Sequence, residues 1–249
     1  MNMTNYIFDL YGTLVDIHTN ESKASLWKNM AQIFSMMGAA YTAPELKMRY
    51  KELAEAELQK RLHRAREEFH DSSLAAADIE IQLENVFCGL LADKGIDIDE
   101  RMMAQTGIAF RSLSLSYIRL YEGVPELLQN IHEGGDKSYL LSNAQRLFTE
   151  PEMRMLGIYD SFDGILYSSD VGVKKPCSYF YDALFRKYGL DKEESVMIGN
   201  EYRADILGAA EYGLGSIYIY TAQSGMRPQE LPENCREIKK IAEVLLDKT

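Results

Sequence analysis

Asp9 closes a short apolar run, Asn5-Tyr6-Ile7-Phe8-Asp9-Leu10, that Tyr11-Gly12-Thr13 interrupts. A carboxylate in that position can act as a nucleophile and form an ester or an acyl phosphate. Three more segments combine an apolar run with polar groups of the right kind to assist it: Leu140-Leu141-Ser142-Asn143, Gly172-Val173-Lys174-Lys175-Pro176 and Met197-Ile198-Gly199-Asn200-Glu201-Tyr202-Arg203-Ala204-Asp205. Attack on an anionic substrate needs its negative charge offset. A lysine, hydroxyl and amide donors and a divalent cation are the groups that do so. Glycine after a strand lets backbone N–H groups approach an anion.

The elements that would carry these groups follow from periodicity. Residues 5–10 read as a buried strand and a tight loop. From about 20 to 120 the pattern is helical, as in Ile79, Leu83, Val86, Phe87, Leu90 and Leu91, or Met103, Thr106, Phe110, Leu113, Tyr117 and Leu120. Pro44 in Thr-Ala-Pro-Glu marks a helix start, and Gly95–Asp97 a break. This stretch is expected to form a bundle of roughly four helices without strands. Beyond Gly123, strands at 137–142, 163–167, 195–198 and 215–220 alternate with helices at about 124–134, 176–188, 202–212 and 236–247. That alternation predicts an α/β fold with a doubly wound parallel sheet covered on both faces. The first strand then belongs with the later ones, and the helical stretch is an insertion. Reactive groups of such a sheet gather outside the carboxyl ends of its strands, where the strand order reverses.

In this order and at these separations, the four segments resemble the four motifs of the haloacid dehalogenase-like (HAD) hydrolase superfamily. The resemblance covers nearly the whole chain, since the helical insertion is similar to that family's helical cap. It implies a Rossmann-like core of residues 1–16 and 121–249 and a cap of residues 17–120. It also implies roles. Asp9 matches the nucleophile, and Thr13 matches the residue that steadies its loop. Ser142 and Asn143 match the groups that hold the transferred moiety. Lys175 matches the charge-neutralising lysine, with Lys174 beside it as the alternative. Asn200 and Asp205 fall on the two acidic positions that help bind Mg2+, with Asp9 and the carbonyl of Tyr11 completing the set. The substrate implied is a small anion, foremost a phosphorylated metabolite.

Two positions depart from the phosphatase pattern. A second aspartate that protonates the leaving group is replaced by Tyr11, and Asn200 stands where phosphatases have aspartate. Both resemble the 2-haloacid dehalogenases, as does Tyr181. The spacing of Asp205 and the neighbouring Glu201 point back to the phosphatases. Phosphatase-like hydrolysis, carbon–halogen hydrolysis and a poorly active anion-binding relative therefore all stay open. The residues also have plainer readings: Asp9 as a strand-end cap, Lys175 as a solvated helix start, Ser142, Asn143 and Asn200 as turn formers, Asp205 as a first-turn carboxylate.

Composition bounds the partners. The 249 residues are 46% hydrophobic and 26% charged, enough for a packed core. The net charge, 27 − 38 = −11, works against nucleic acid and anionic membranes. The basic run Lys60–Arg66 reads as a solvated helix face. Apolar runs are too short to span a bilayer, and Met1–Phe8 lacks the features of a signal peptide. Cys88, Cys177 and Cys235 are far apart, and the four histidines lack ligand spacing, so a reducing cytoplasmic setting without a zinc site is expected. Oligomeric state is not legible.

Overall fold

The computed structural model describes residues 3–248; Met1, Asn2 and Thr249 lie outside the described residues. Six parallel strands form the main sheet: β1 (Asn5–Phe8), β4 (Lys137–Ser142), β5 (Gly164–Tyr167), β6 (Ser195–Gly199), β7 (Gly215–Ile219) and β8 (Cys235–Ile238). Their spatial order is β5-β4-β1-β6-β7-β8. The opening strand is thus central, with Phe8 in register with Leu140 on one side and Ile198 on the other. From β1 the chain builds outward to β4 and β5, then returns to β6, so the switch point lies at β1.

Alternation along the strands supplies both faces of the sheet. Tyr6, Phe8, Leu140 and Ile198 pack on one side with Val124, Leu127 and Ile131 of helix α5 (Val124–Glu133). Ile7, Leu141 and Met197 pack on the other with Phe180, Tyr181 and Leu184 of α8 (Ser178–Tyr188).

Between β1 and α5 stand four helices: α1 (Ala24–Met36), α2 (Ala43–Glu68), α3 (Leu83–Ala92) and α4 (Glu100–Ser114). The Thr-Ala-Pro-Glu start is a capping box: Thr42 accepts from the Glu45 N–H and Glu45 accepts from the Thr42 N–H. The four helices share their own apolar core, with Leu26, Trp27, Phe34, Phe87, Leu90 and Phe110 buried.

The structure corrects two expectations and adds one helix. The helix expected to run to Leu120 ends at Ser114, and Leu115–Leu120 is strand β3, paired antiparallel with β2 (Val15–Thr19). The helical spacing of Tyr117 and Leu120 was overridden by a partner strand that supplies a backbone ladder, the Asp16–Arg119 ion pair and a His18–Tyr117 ring stack. Residues 236–247, expected as one helix, form edge strand β8 and a 3-10 helix, Ile241–Lys248, because the exposed edge of β7 takes up Cys235–Ile238. A further helix, α6 (Arg146–Met155), follows β4; it buries Phe148, Thr149, Glu152 and Met153 at helical spacing and carries Pro151 inside it.

Phe148 of α6 stacks on Phe110, 5.9 Å between ring centroids, and Phe110 also meets Trp27, the only tryptophan, edge-on at 5.9 Å. Phe110→Ala is expected to cost about 3–5 kcal/mol, read as a lowered urea midpoint of the Trp27 fluorescence transition. A shift equivalent to less than about 1 kcal/mol would mean that this ring is not part of a packed core.

Candidate active site

Asp9 follows β1 directly, and its N–H continues the ladder to the Ile198 carbonyl (2.9 Å), which fixes the carboxylate at the crevice. Lys175 Nζ donates to Asp9 Oδ1 at 2.8 Å. The same ammonium lies 2.7 Å from Asp205 Oδ1, outside regular hydrogen-bond angles. Asp205 Oδ2 accepts from the Glu201 N–H at 2.9 Å. Both Lys175 and Asp205 side chains are 1% exposed, so one ammonium holds two carboxylates in a nearly dry setting. Burial pushes the Asp205 carboxyl up to about 6, with Lys175 opposing and Asp9 adding to the rise. Burial works to lower Lys175, but the two carboxylates win and hold its proton more tightly than usual. Lys174 is only half-buried, so Lys175 is the residue of that pair at the site.

The loop after Asp9 is shaped around Asn200. Thr13 Oγ1 lies 3.4 Å from Asp9 Oδ2 and 3.2 Å from Asn200 Oδ1. Gly12 has φ 86°, and a Cβ there would come within 2.4 Å of Asn200 Nδ2. Gly199 is equally constrained: its Cβ would meet Asp205 Oδ2 at 2.2 Å.

Ser142, at the end of β4, is buried, and its hydroxyl has no hydrogen-bond partner. A buried hydroxyl without a partner beside a crevice is a group left free for a ligand. Asn143 is committed instead. Its Oδ1 accepts from the Lys175 N–H (2.8 Å) and its Nδ2 donates to the Lys175 carbonyl (3.0 Å). The side chain expected to hold the transferred group thus grips the backbone of Lys175.

Tyr11 is tied down at its far end. Its hydroxyl donates to Glu152 Oε2 and lies 3.0 Å from Thr149 Oγ1, both on α6. Glu152 in turn pairs with Arg111 of α4 at 2.6 Å, and Arg111 lies over the Tyr11 ring. Burial first, then the Glu152 charge, pushes the phenol above its ordinary range.

Other candidates fall away from the crevice. Glu201 is exposed and caps the turn at Arg203 N. Tyr181 is fully buried and donates to the Ala204 carbonyl at 2.9 Å. Asp16 pairs with Arg119 and Gln223. In the basic run, Arg61 is mostly covered and donates to the Val171 carbonyl, so the face is not wholly solvated. Among the described residues, no group of three or more His, Cys, Asp or Glu could hold a metal ion.

A cavity of about 300 Å³ adjoins the site between the helices and the sheet, lined by Tyr11, Asn143, Arg111, Glu21, Glu80 and Gln145 among others. Residues 78–81 form its edge and bind the segment before Lys175: Glu80 N–H to Gly172 O (3.1 Å) and Lys174 N–H to Asp78 O (2.9 Å). Glu80 Oε1 accepts from Gln145 Nε2 (2.8 Å) and Oε2 from Ser168 Oγ (3.0 Å). Burial raises its carboxyl, with Lys174 opposing. Arg111, Glu152, Gln145 and Glu80 carry no sequence signal, because each meets this cavity only through a partner distant in the chain.

The sequence profile of the haloacid dehalogenase-like hydrolases matches residues 3–213. The chain belongs to that family. As a HAD-like hydrolase it is 24% identical over 137 residues to a glyceraldehyde 3-phosphate phosphatase of Methanothermobacter thermautotrophicus, 55% of this chain and 61% of the relative. The chain therefore spans about three fifths of that relative's length. It is also 24% identical over 214 residues to an (S)-2-haloacid dehalogenase of Pseudomonas sp. (strain YL), 85% of this chain and 80% of the relative. A 2-haloacid dehalogenase from Pseudomonas syringae shares the fold, with TM-score 0.60 at 19% identity, covering 97% of this chain and 96% of that one. No helix among the described residues of this HAD-like hydrolase is long and apolar enough to cross a membrane.

Lys175→Met should cost about 3–5 kcal/mol in equilibrium unfolding, since two buried carboxylates lose their partner. A loss below about 1 kcal/mol would mean that the charges are solvated. Glu80 gives a pH-dependent counterpart. A carboxyl raised in the folded state binds its proton more tightly there than in the unfolded chain. Its stabilisation is complete in acid and is lost as pH rises through the folded value. Glu80→Gln is expected to flatten the fall of unfolding free energy from acidic to neutral pH; an unchanged slope would refute the buried carboxyl.

Proposed function

We propose that this chain hydrolyses a small phosphorylated metabolite through a covalent intermediate on Asp9. The observation that carries the reading is the buried contact of Lys175 with Asp9 and Asp205, beside the unpartnered Ser142 hydroxyl. Lys175 orients the Asp9 carboxylate and offsets charge gathering on the transferred group. Ser142 donates to that group. Thr13 steadies the loop, and Asn143 acts by fixing the backbone of Lys175. Water then cleaves the aspartyl intermediate. Residues 1–16 and 121–249 serve as the core and 17–120 as a cap that covers the site and excludes water.

For Mg2+, the donors left are Asp9, the Tyr11 carbonyl and Asn200. Asp205, the fourth expected ligand, turns one oxygen to Lys175 and the other to the Glu201 N–H. One carboxylate with neutral oxygens suits a hard divalent cation weakly. When bound, the ion would neutralise substrate charge.

Carbon–halogen hydrolysis is the second reading. It is favoured by the commitment of Asp205 to Lys175 and by a tyrosine whose hydroxyl is held away at Glu152.

The deciding measurement pairs phosphate release from 4-nitrophenyl phosphate with halide release from 2-chloropropionate, each with and without magnesium. Phosphate release that needs millimolar magnesium and drops at least about 10³-fold in Asp9→Asn is expected. Metal-independent halide release selects the second reading. Neither activity, with anion binding intact in Asp9→Asn, leaves a binding role.

A further inference from the structure

We infer that this site takes phosphoryl compounds whose leaving group departs without a proton, namely acyl phosphates and phosphoanhydrides, and discriminates against alkyl phosphate esters. The inference rests on Asp9 being the nucleophile as proposed above, and it follows from the protonated groups that surround that carboxylate. An alkoxide is a poor leaving group and needs a positioned acid; a carboxylate or phosphate is stable as it leaves.

Each group around Asp9 is unsuited to give a proton. Lys175 Nζ is engaged between the Asp9 and Asp205 carboxylates, at 2.8 and 2.7 Å. Both oxygens of Asp205 face donors, Lys175 Nζ and the Glu201 N–H, so neither presents a hydroxyl to the crevice. Thr13 and Ser142 are aliphatic alcohols, far too weakly acidic to protonate a leaving oxygen. Thr13 is also engaged by Asp9 and Asn200. The Asn143 amide is spent on the Lys175 backbone.

Glu80, at the cavity edge, has its two oxygens engaged by Gln145 and Ser168; Tyr11, two residues past Asp9, is then the remaining acidic hydrogen. Its hydroxyl donates to Glu152 and contacts Thr149, and Glu152 is itself locked to Arg111. To serve as an acid it would have to give up its bond to the Glu152 carboxylate, leaving that oxygen only a 3.4 Å contact from Arg111 Nη2, at a cost of about 1–3 kcal/mol. The ring is a wall of the site and its proton is structural.

The balanced reaction is then short. An Asp9 Oδ forms a bond to phosphorus as the bond from phosphorus to the leaving oxygen breaks. The electron pair departs with that oxygen as a carboxylate or phosphate, and no proton moves. Water then attacks phosphorus, the Asp9 Oδ–phosphorus bond breaks with its pair returning to the carboxylate, and the water proton passes to phosphate or solvent.

The test is a leaving-group series on the unaltered protein with magnesium: acetyl phosphate, 4-nitrophenyl phosphate, phenyl phosphate and glycerol phosphate, compared by kcat/KM. A general acid contributes about 10²–10⁴-fold. The expected result is a steady fall with leaving-group basicity, glycerol phosphate trailing acetyl phosphate by at least about 10²-fold, with no solvent deuterium effect on kcat/KM. A smaller gap, or a clear solvent isotope effect, overturns the inference while leaving Asp9 as nucleophile. In that event Glu80, the buried carboxyl at the cavity edge, is the donor to delete. No phosphate release from any member, acetyl phosphate included, sinks the proposed function itself, and this inference with it.

Discussion

One ammonium group between two carboxylates is the constraint on which this molecule depends. Asp9, Lys175 and Asp205 come from three segments far apart in the chain, and they meet where little water can screen them. Removing Lys175 leaves two negative charges without their partner in a medium that penalises them. Fully ionised, the cluster carries one net negative charge, and burial offsets it partly by raising the Asp205 carboxyl to about 6. The geometry around the cluster reads as a set of devices that keep these atoms fixed: the strand ladder at Asp9, the Asn143 amide on the Lys175 backbone, and the Glu201 N–H on Asp205.

The sheet makes the meeting possible. Because β1 is central, β4 and β6 flank it in register up to Phe8, so the chain leaves the sheet at Asp9 between their ends, and Lys175 reaches that carboxylate through its Nζ. Two glycines permit the close approach. Gly12 and Gly199 face the side chains of Asn200 and Asp205 at distances that exclude a Cβ. These positions are set by the volume of neighbours as much as by backbone conformation.

The helical insertion is bonded to the same centre. Residues 78–81 form backbone hydrogen bonds with the stretch just before Lys175, and Arg111 reaches through Glu152 to the Tyr11 hydroxyl. Any opening of the helices from the sheet must break a buried ion pair and the ladder beside the lysine. The position of Lys175 and the position of the helices are thus mechanically joined.

The sequence by itself determined the layout of the core. Periodicity of two and of 3.6 is a local property, so the parallel strands, the four inserted helices and the polar residues that accompany the strands were legible: Asp9 just past β1, Ser142 at the end of β4, and Lys175 in the loop region after β5. Lys175 was separable from Lys174 only by burial. Tertiary structure decided where local preference is weak or split. Leu115–Leu120 satisfied a helical spacing but took the strand offered by Val15–Thr19; Cys235–Ile238 joined an open sheet edge; and α6 formed despite Pro151. It also decided what each polar group faces. That Asn143 binds backbone, that Glu201 caps a turn, and that the Tyr11 hydroxyl donates its hydrogen bond to Glu152 depend on partners that no spacing encodes. Hydrogen bonds of this kind are made between surfaces brought together only after the layers pack.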